Sequence, residues 1–339
     1  MDQTKEELLA LVWAHPDDDG PRHVLADHLL EIGDPVGELL ALQLGPMPLT
    51  EAQQRRERRL LKDHLESWLG PLWQAIAPKS ARLVRGFLES CTPQFRQLSE
   101  LRRWMDHPGW STVREVTGRF SPSLLLHPSF AGVRRVRGLD GGGLYVLAKH
   151  PVPLGIETIR LFEAEPMHPH LQAQIIDGHG LDELTELTVG PIRRREGPAL
   201  VTADDWSWLL QGHFGAKLQR LRLENVPVFV GGLTVGAWRR ALDARKHGPL
   251  PLEAALGSCV WRLTPEPKGW QLTLLPHNPN PSWLTDAHES LRDVERGDFT
   301  HIRIVAGAGF TPRVRAALLA AIADRAPVEI VGLSSGNSH

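Results

Sequence analysis

The chain has 339 residues, 42% hydrophobic and 23% charged, a composition that excludes a fibrous or wholly disordered polymer. Its 38 basic and 40 acidic side chains nearly cancel, which counts against a polycationic nucleic-acid binder. No apolar run approaches the roughly 20 residues of a membrane helix, the stretch from Met1 to Glu7 is mostly polar, and two cysteines cannot build a disulfide framework. A cytoplasmic protein without a membrane span is the expectation. The charge is unevenly spread. Residues 1–50 hold ten acids and two bases, whereas residues 51–103 hold eleven bases and six acids. Such asymmetry marks either solvated helix faces or docking between segments.

In chain order, Lys5 to Ala14 reads as a helix with Leu8, Leu9, Leu11, Val12 and Trp13 as its apolar residues. His15-Pro16 ends it, because a residue before proline avoids helical geometry. Asp17-Asp18-Asp19-Gly20-Pro21 is a turn in which Asp19 is the expected cap of a second helix, Arg22 to Ile32. Gly33-Asp34-Pro35 separates that helix from a third, Val36 to Leu44. A fourth, Thr50 to Leu69, carries the basic run Arg55-Arg56-Glu57-Arg58-Arg59. Short connections between such helices predict a small bundle.

The stretch from Glu7 to Gln43 holds His15-Pro16-Asp17-Asp18-Asp19-Gly20-Pro21-Arg22, Leu25-Ala26-Asp27-His28-Leu29, Gly33-Asp34-Pro35 and Leu39-Leu40-Ala41-Leu42-Gln43. It resembles the bacterial repeat-companion domain, a short helical module found in front of leucine-rich-like repeats. His28 stands where that family's pattern has Trp. Arg85-Gly86-Phe87 is similar to the segment that opens the repeat region in such proteins. The resemblance implies an architecture and carries no activity with it.

Beyond residue 81, short strand-like units recur. They start at Val113, Val133, Ile156, Leu184 and Leu218, at spacings of 20, 23, 28 and 34 residues. Four of the five fit the L-x-x-L-x-L core of a leucine-rich repeat with aliphatic substitutions. Val260–Leu263, Gln271–Leu275, His301–Val305 and Val328–Val331 continue the series less regularly. Helix candidates lie between them, at Leu171–Ile176, Thr202–Gln211, Thr234–Lys246, Thr285–Arg296 and Thr311–Arg325, the last with Thr311 as cap. Gly141-Gly142-Gly143 reads as a tight repeat turn. The expected fold is α/β: a helical bundle over 1–80, then an irregular leucine-rich-repeat-like solenoid over 81–339, a curved parallel sheet with outer helices. A doubly wound α/β domain is the competing fold. It calls for more continuously apolar strands than these, which alternate with Arg, Glu or Thr.

That alternation points to a polar, concave sheet face. Its predicted residues include Arg135, Arg137, Arg160, Arg220, Arg222, Arg262 and Arg303, with Glu115, Glu186 and Glu329 as its only acids. Guanidinium forks pair bidentately with carboxylates, so the face predicts an acidic protein partner. Intramolecular docking of the acidic N-terminal segment on this face is a further possibility.

Catalytic and metal motifs are weak. His23 and Asp27 stand four apart on a helix without a third ligand, and His168, His170 and His179 lack cysteine or carboxylate company at a metal-site spacing. The glycine runs lack the Lys-Ser/Thr of a phosphate loop, and Cys91 has no nearby His. The sequence therefore predicts a non-catalytic interaction scaffold without cofactor or metal. The alternatives are nucleic-acid binding through the same arginines, or an enzyme in the C-terminal half using His277, His288 or His301.

Overall fold

The computed structural model describes residues 4–94, 104–163, 167–190, 208–210, 213, 216–226, 235–245, 247–256, 259–276, 287, 291, 293–306, 312–322 and 324–332. These residues form a mixed α/β structure of eight α-helices and twelve strands, most of them paired parallel. No helix among them is long and apolar enough to cross a membrane. The chain divides into two compact units, Met1–Gly138 and Leu139–His339.

The first unit opens with helices α1 (Lys5–Ala14), α2 (Gly20–Glu31), α3 (Pro35–Leu44) and α4 (Glu51–Leu69). Thr4 and Glu7 close a reciprocal capping box on α1, and Thr50 and Gln53 do the same on α4. Asp34 caps α3 by accepting the Val36 N–H at 3.0 Å, and its other oxygen takes Lys5 Nζ at 2.7 Å, tying α1 to α3. The start of α2 differs from the sequence expectation. Asp18 accepts the Gly20 N–H at 2.8 Å, while the Asp19 side chain makes no cap bond and instead meets Arg85 at 2.9 Å. A guanidinium is a stronger partner for a carboxylate than a lone amide.

Strands β1 (Arg82–Val84) and β2 (Phe87–Cys91) form an antiparallel hairpin, and β3 (Glu115–Val116) and β4 (Arg135–Asp140) add on in parallel. The last two residues of β4 belong to the second unit. The hairpin turns at Arg85 and Gly86, both at positive φ (53° and 79°), with Val84 opposite Phe87. That is the pattern of a two-residue hairpin whose turn matches strand twist. The helices grip this turn. Gln43 Oε1 accepts the Gly86 N–H at 2.7 Å, Trp68 Nε1 donates to the Gly86 carbonyl at 2.6 Å, and a Cβ on Gly86 would lie 2.1 Å from Leu40. Phe87 then enters the bundle core beside Leu8, Val12, Leu25, Leu29 and Leu40. The 80/81 boundary drawn from sequence therefore marks the change from helices to strands, across which a single core continues.

Within the second unit the helices are α5 (Gly141–Ala148), α6 (Pro169–Ile176), α7 (Val235–Asp243) and α8 (Pro312–Ile322). Its strands are β5 (Thr158–Glu163), β6 (Glu186–Val189), β7 (Arg220–Val226), β8 (Leu252–Leu256), β9 (Cys259–Glu266), β10 (Gly269–Pro276), β11 (His301–Ala306) and β12 (Val328–Gly332). They pair in chain order. β5 to β8 are parallel, as are β10 to β12, but β9 runs antiparallel to both neighbours. The all-parallel expectation is thus corrected. Two residues separate β8 from β9 and two separate β9 from β10, too few for the crossover that parallel neighbours need.

Gly141-Gly142-Gly143 is the first turn of α5 rather than a free repeat turn, because Asp140 Oδ1 accepts the Gly143 N–H at 2.7 Å and starts the helix. The helix expected over Thr202–Gln211 is described only as a short 3-10 segment, Trp208–Leu210. Half of the helix expected over Thr285–Arg296 lies outside the described residues, and so does the Thr311 cap.

Two expectations follow. Gly86→Ala lowers unfolding free energy by about 2–4 kcal/mol, from left-handed strain plus overpacking on Leu40. Gly33→Ala, at φ 72° with no atom within 4 Å of the new Cβ, costs only about 1 kcal/mol; denaturant titration followed by tryptophan fluorescence measures both. The second concerns acid. A hydrogen bond from Arg114 holds the Asp17 carboxyl below its ordinary range, and one from Arg56 does the same for Glu38. Burial raises Asp34, but bonds from Lys5 and the Val36 N–H outweigh it and leave that acid depressed too. The unfolded chain protonates these groups first, so their contribution is complete above about pH 4.5 and is lost as pH falls through and below about 4. Thermal midpoints of the wild type drop over that window, and Asp17→Asn flattens part of the drop.

Candidate interaction face

Strand alternation sorts each residue of the sheet to one of two sides. In the second unit, Ile159, Leu187, Leu221, Leu252, Leu263, Leu272 and Ile302 stand in register across seven strands, each at most 1% exposed. Burying such a side chain is worth about 1.5–3 kcal/mol, which fixes the register. The next position along each strand turns to the opposite face. There Arg160, Thr188, Arg222, Glu253, Arg262, Thr273, Arg303 and Glu329 form one polar ladder across eight strands. Thr158, Glu186 and Arg220 form a shorter parallel row.

Every arginine expected on the face meets a carboxylate of a nearby strand. Arg160 reaches Glu224 at 2.6 Å, and Arg220 reaches Glu186 at 3.4 Å. Arg222 and Arg262 share Glu253, at 3.0 and 2.6 Å, and Arg303 lies 3.6 Å from Glu329. In the first unit, Glu115 is 7% exposed and receives Arg137 at 2.6 Å and Arg135 at 3.7 Å, while Arg135 also bonds Glu89 at 3.1 Å. Seven arginines therefore face six glutamates, and the excess of positive charge read from the sequence is largely neutralised in place. Glu89, Glu224 and Glu253 are the residues sequence reasoning missed. Glu253 lies in β8, whose Leu-Glu-Ala-Ala-Leu run gives no strand signal.

The N-terminal acids pair inside their own unit. Asp17 meets Arg114 at 2.7 Å, Asp19 meets Arg85, and Glu38 bonds Arg56 Nε at 2.7 Å. Arg22, 1% exposed, donates to the Pro16 and Asp18 carbonyls and lies 5.4 Å from the centre of the Phe87 ring. Its burial and the nearby Arg85 charge lower the guanidinium pKa, which Asp19 offsets only in part.

Other candidate groups take local structural roles. His168 Nδ1 accepts the His170 N–H at the start of α6, His170 contacts Gln174, and His179 contacts Asp182. His301 stands 3.5 Å from Glu266, whose carboxylate also accepts the Thr300 hydroxyl at 2.6 Å. His277 and His288 lie outside the described residues. Among the described residues no three His, Cys, Asp or Glu side chains gather as a metal site. The Cys91 thiol is buried, which pushes its pKa up to about 12 and removes the thiolate a nucleophile needs.

Glu253 is the most informative position to test. Glu253→Gln leaves two guanidiniums without their shared countercharge and costs about 1 kcal/mol at low salt. The loss shrinks at 1 M salt, where a Debye length of about 3 Å screens the residual repulsion; paired denaturation curves at the two ionic strengths check it. Comparison with known proteins identifies no relative: no protein-family model, curated protein or solved structure matches the chain.

Proposed function

We propose that the chain is a non-catalytic interaction scaffold, a leucine-rich-repeat-like solenoid behind a helical module, that binds an acidic protein segment on its polar sheet face. The single observation that carries this reading is the in-register ladder from Arg160 to Glu329. Its arginines are 41 to 50% exposed at their side chains, and each is already oriented by a neighbouring carboxylate. A guanidinium has five donors in a fixed fork, and a resident glutamate occupies only part of it. An incoming carboxylate thus meets a side chain whose ordering entropy is already spent. The glutamates add selection, because a uniformly anionic surface such as a nucleic-acid backbone meets like charge at Glu253 and Glu329 of the ladder and at Glu186 and Glu224 beside it.

The triple variant Arg222→Glu, Arg262→Glu, Arg303→Glu tests the idea. The wild type is expected to retain an acidic protein from native lysate at low salt and release it as salt rises, and the variant to bind it at least ten-fold more weakly. Equal retention by the two proteins removes the face from the binding site. Retention of nucleic acid with a steep salt dependence overturns the protein-partner reading.

A further inference from the structure

A cavity of about 180 Å³ is lined by residues of the first unit. Its walls include Leu9 and Trp13 of α1, Trp68 at the end of α4, Leu72 just beyond it, Phe87 of β2 and His107. The aromatic rings already arrange themselves edge to face: Trp68 and Phe87 stand 5.8 Å apart at 61°, and Trp13 and His107 5.9 Å apart at 71°. Lys5 Nζ stands 5.6 Å from the centre of the Trp68 ring and Arg22 5.4 Å from that of Phe87, and an aromatic guest prefers edge-to-face or offset contact with rings of this kind.

Size and polarity narrow the guest. An apolar protein cavity of about 150 Å³ accommodates benzene, so this one admits a single substituted ring. No Asp, Glu, Lys or Arg lines it, so an ion would find no countercharge among the lining residues. The polar groups of the wall are largely engaged. Trp68 Nε1 donates to the Gly86 carbonyl, and the Thr112 hydroxyl lies 2.9 Å from the Leu88 carbonyl and 3.0 Å from that of Gly109. His107 Nδ1 accepts the Gly109 N–H at 3.1 Å, which places the proton of the neutral ring on Nε2. Burial lowers the His107 pKa and so favours that neutral form.

We propose that this cavity is a binding site for a small neutral aromatic molecule of one ring bearing one oxygen substituent. The ring packs among Trp13, Trp68 and Phe87, and the oxygen accepts the His107 Nε2–H. The inference does not depend on the ladder or its partner, and either site can fail alone.

The test titrates the full chain with p-cresol and, in parallel, with toluene, by saturation-transfer NMR and tryptophan fluorescence. Saturable binding of both is expected, with p-cresol tighter. Leu9→Trp fills the cavity and is expected to weaken both at least ten-fold with an unchanged far-ultraviolet circular dichroism spectrum. His107→Phe keeps a ring in place and needs no cavity filling. It is expected to weaken p-cresol about five-fold, the size of one lost hydrogen bond, and to leave toluene unchanged. Absence of saturable binding at millimolar probe overturns the proposal. So does undiminished binding by a folded Leu9→Trp chain, or an equal loss of both probes in His107→Phe.

Discussion

The two residues at positive φ between β1 and β2 are the constraint on which the first unit depends. Arg85 and Gly86 reverse the chain so tightly that no side chain fits at the second position. That bareness lets α3 and α4 close on the turn through Gln43 and Trp68, and it aims Phe87 into the helical core. The Asp19–Arg85 pair clips the turn from a third side. Local backbone geometry, a steric prohibition and three polar contacts thus converge on one dipeptide. A helical bundle with few residues of its own gains a hydrophobic floor from the strands.

The polar side of the second unit follows a different logic. Its residues do not hold the sheet together, since exposed ion pairs contribute about 0–1 kcal/mol each. What they do is keep a row of arginines extended on every second strand, two strand spacings or about 9.6 Å apart. The apolar ladder on the other face sets that order. A one-residue slip would turn Ile159 and Leu187 outward and Arg160 inward, at the cost of a buried unpaired charge.

Much of this was legible in the sequence, for identifiable reasons. The four N-terminal helices announce themselves through apolar spacing and breakers, such as His15-Pro16 and Gly33-Asp34-Pro35. The strands at Arg135, Thr158, Glu186, Arg220 and His301 follow from aliphatic alternation. β8 was not legible, because Leu-Glu-Ala-Ala-Leu favours helix by propensity and only its neighbours make it a strand. Strand-by-strand alternation finds the arginines but only half of their glutamates: Glu115, Glu186 and Glu329, without Glu89, Glu224 and Glu253. Charge balance across a sheet is a property of register, which a repeat pattern does not encode. The aromatic cavity was beyond reach altogether, since segments near residues 9, 68, 87 and 107 meet only in the folded chain.

The three-stranded stretch from β8 to β10 bears on how the second unit assembles. Elsewhere each new strand waits for a long excursion to return, and the entropy of closing that excursion opposes pairing. Here the connecting segments are two residues long, so closure costs the least among the strand connections of this unit. Hairpins of this kind form in about 1–10 μs, far ahead of pairings between distant segments. The meander, with Trp261 fully buried and Trp270 nearly so, is therefore a self-contained template. β7 and β11 dock onto its two sides, and growth proceeds outward from the middle of the unit rather than from either end.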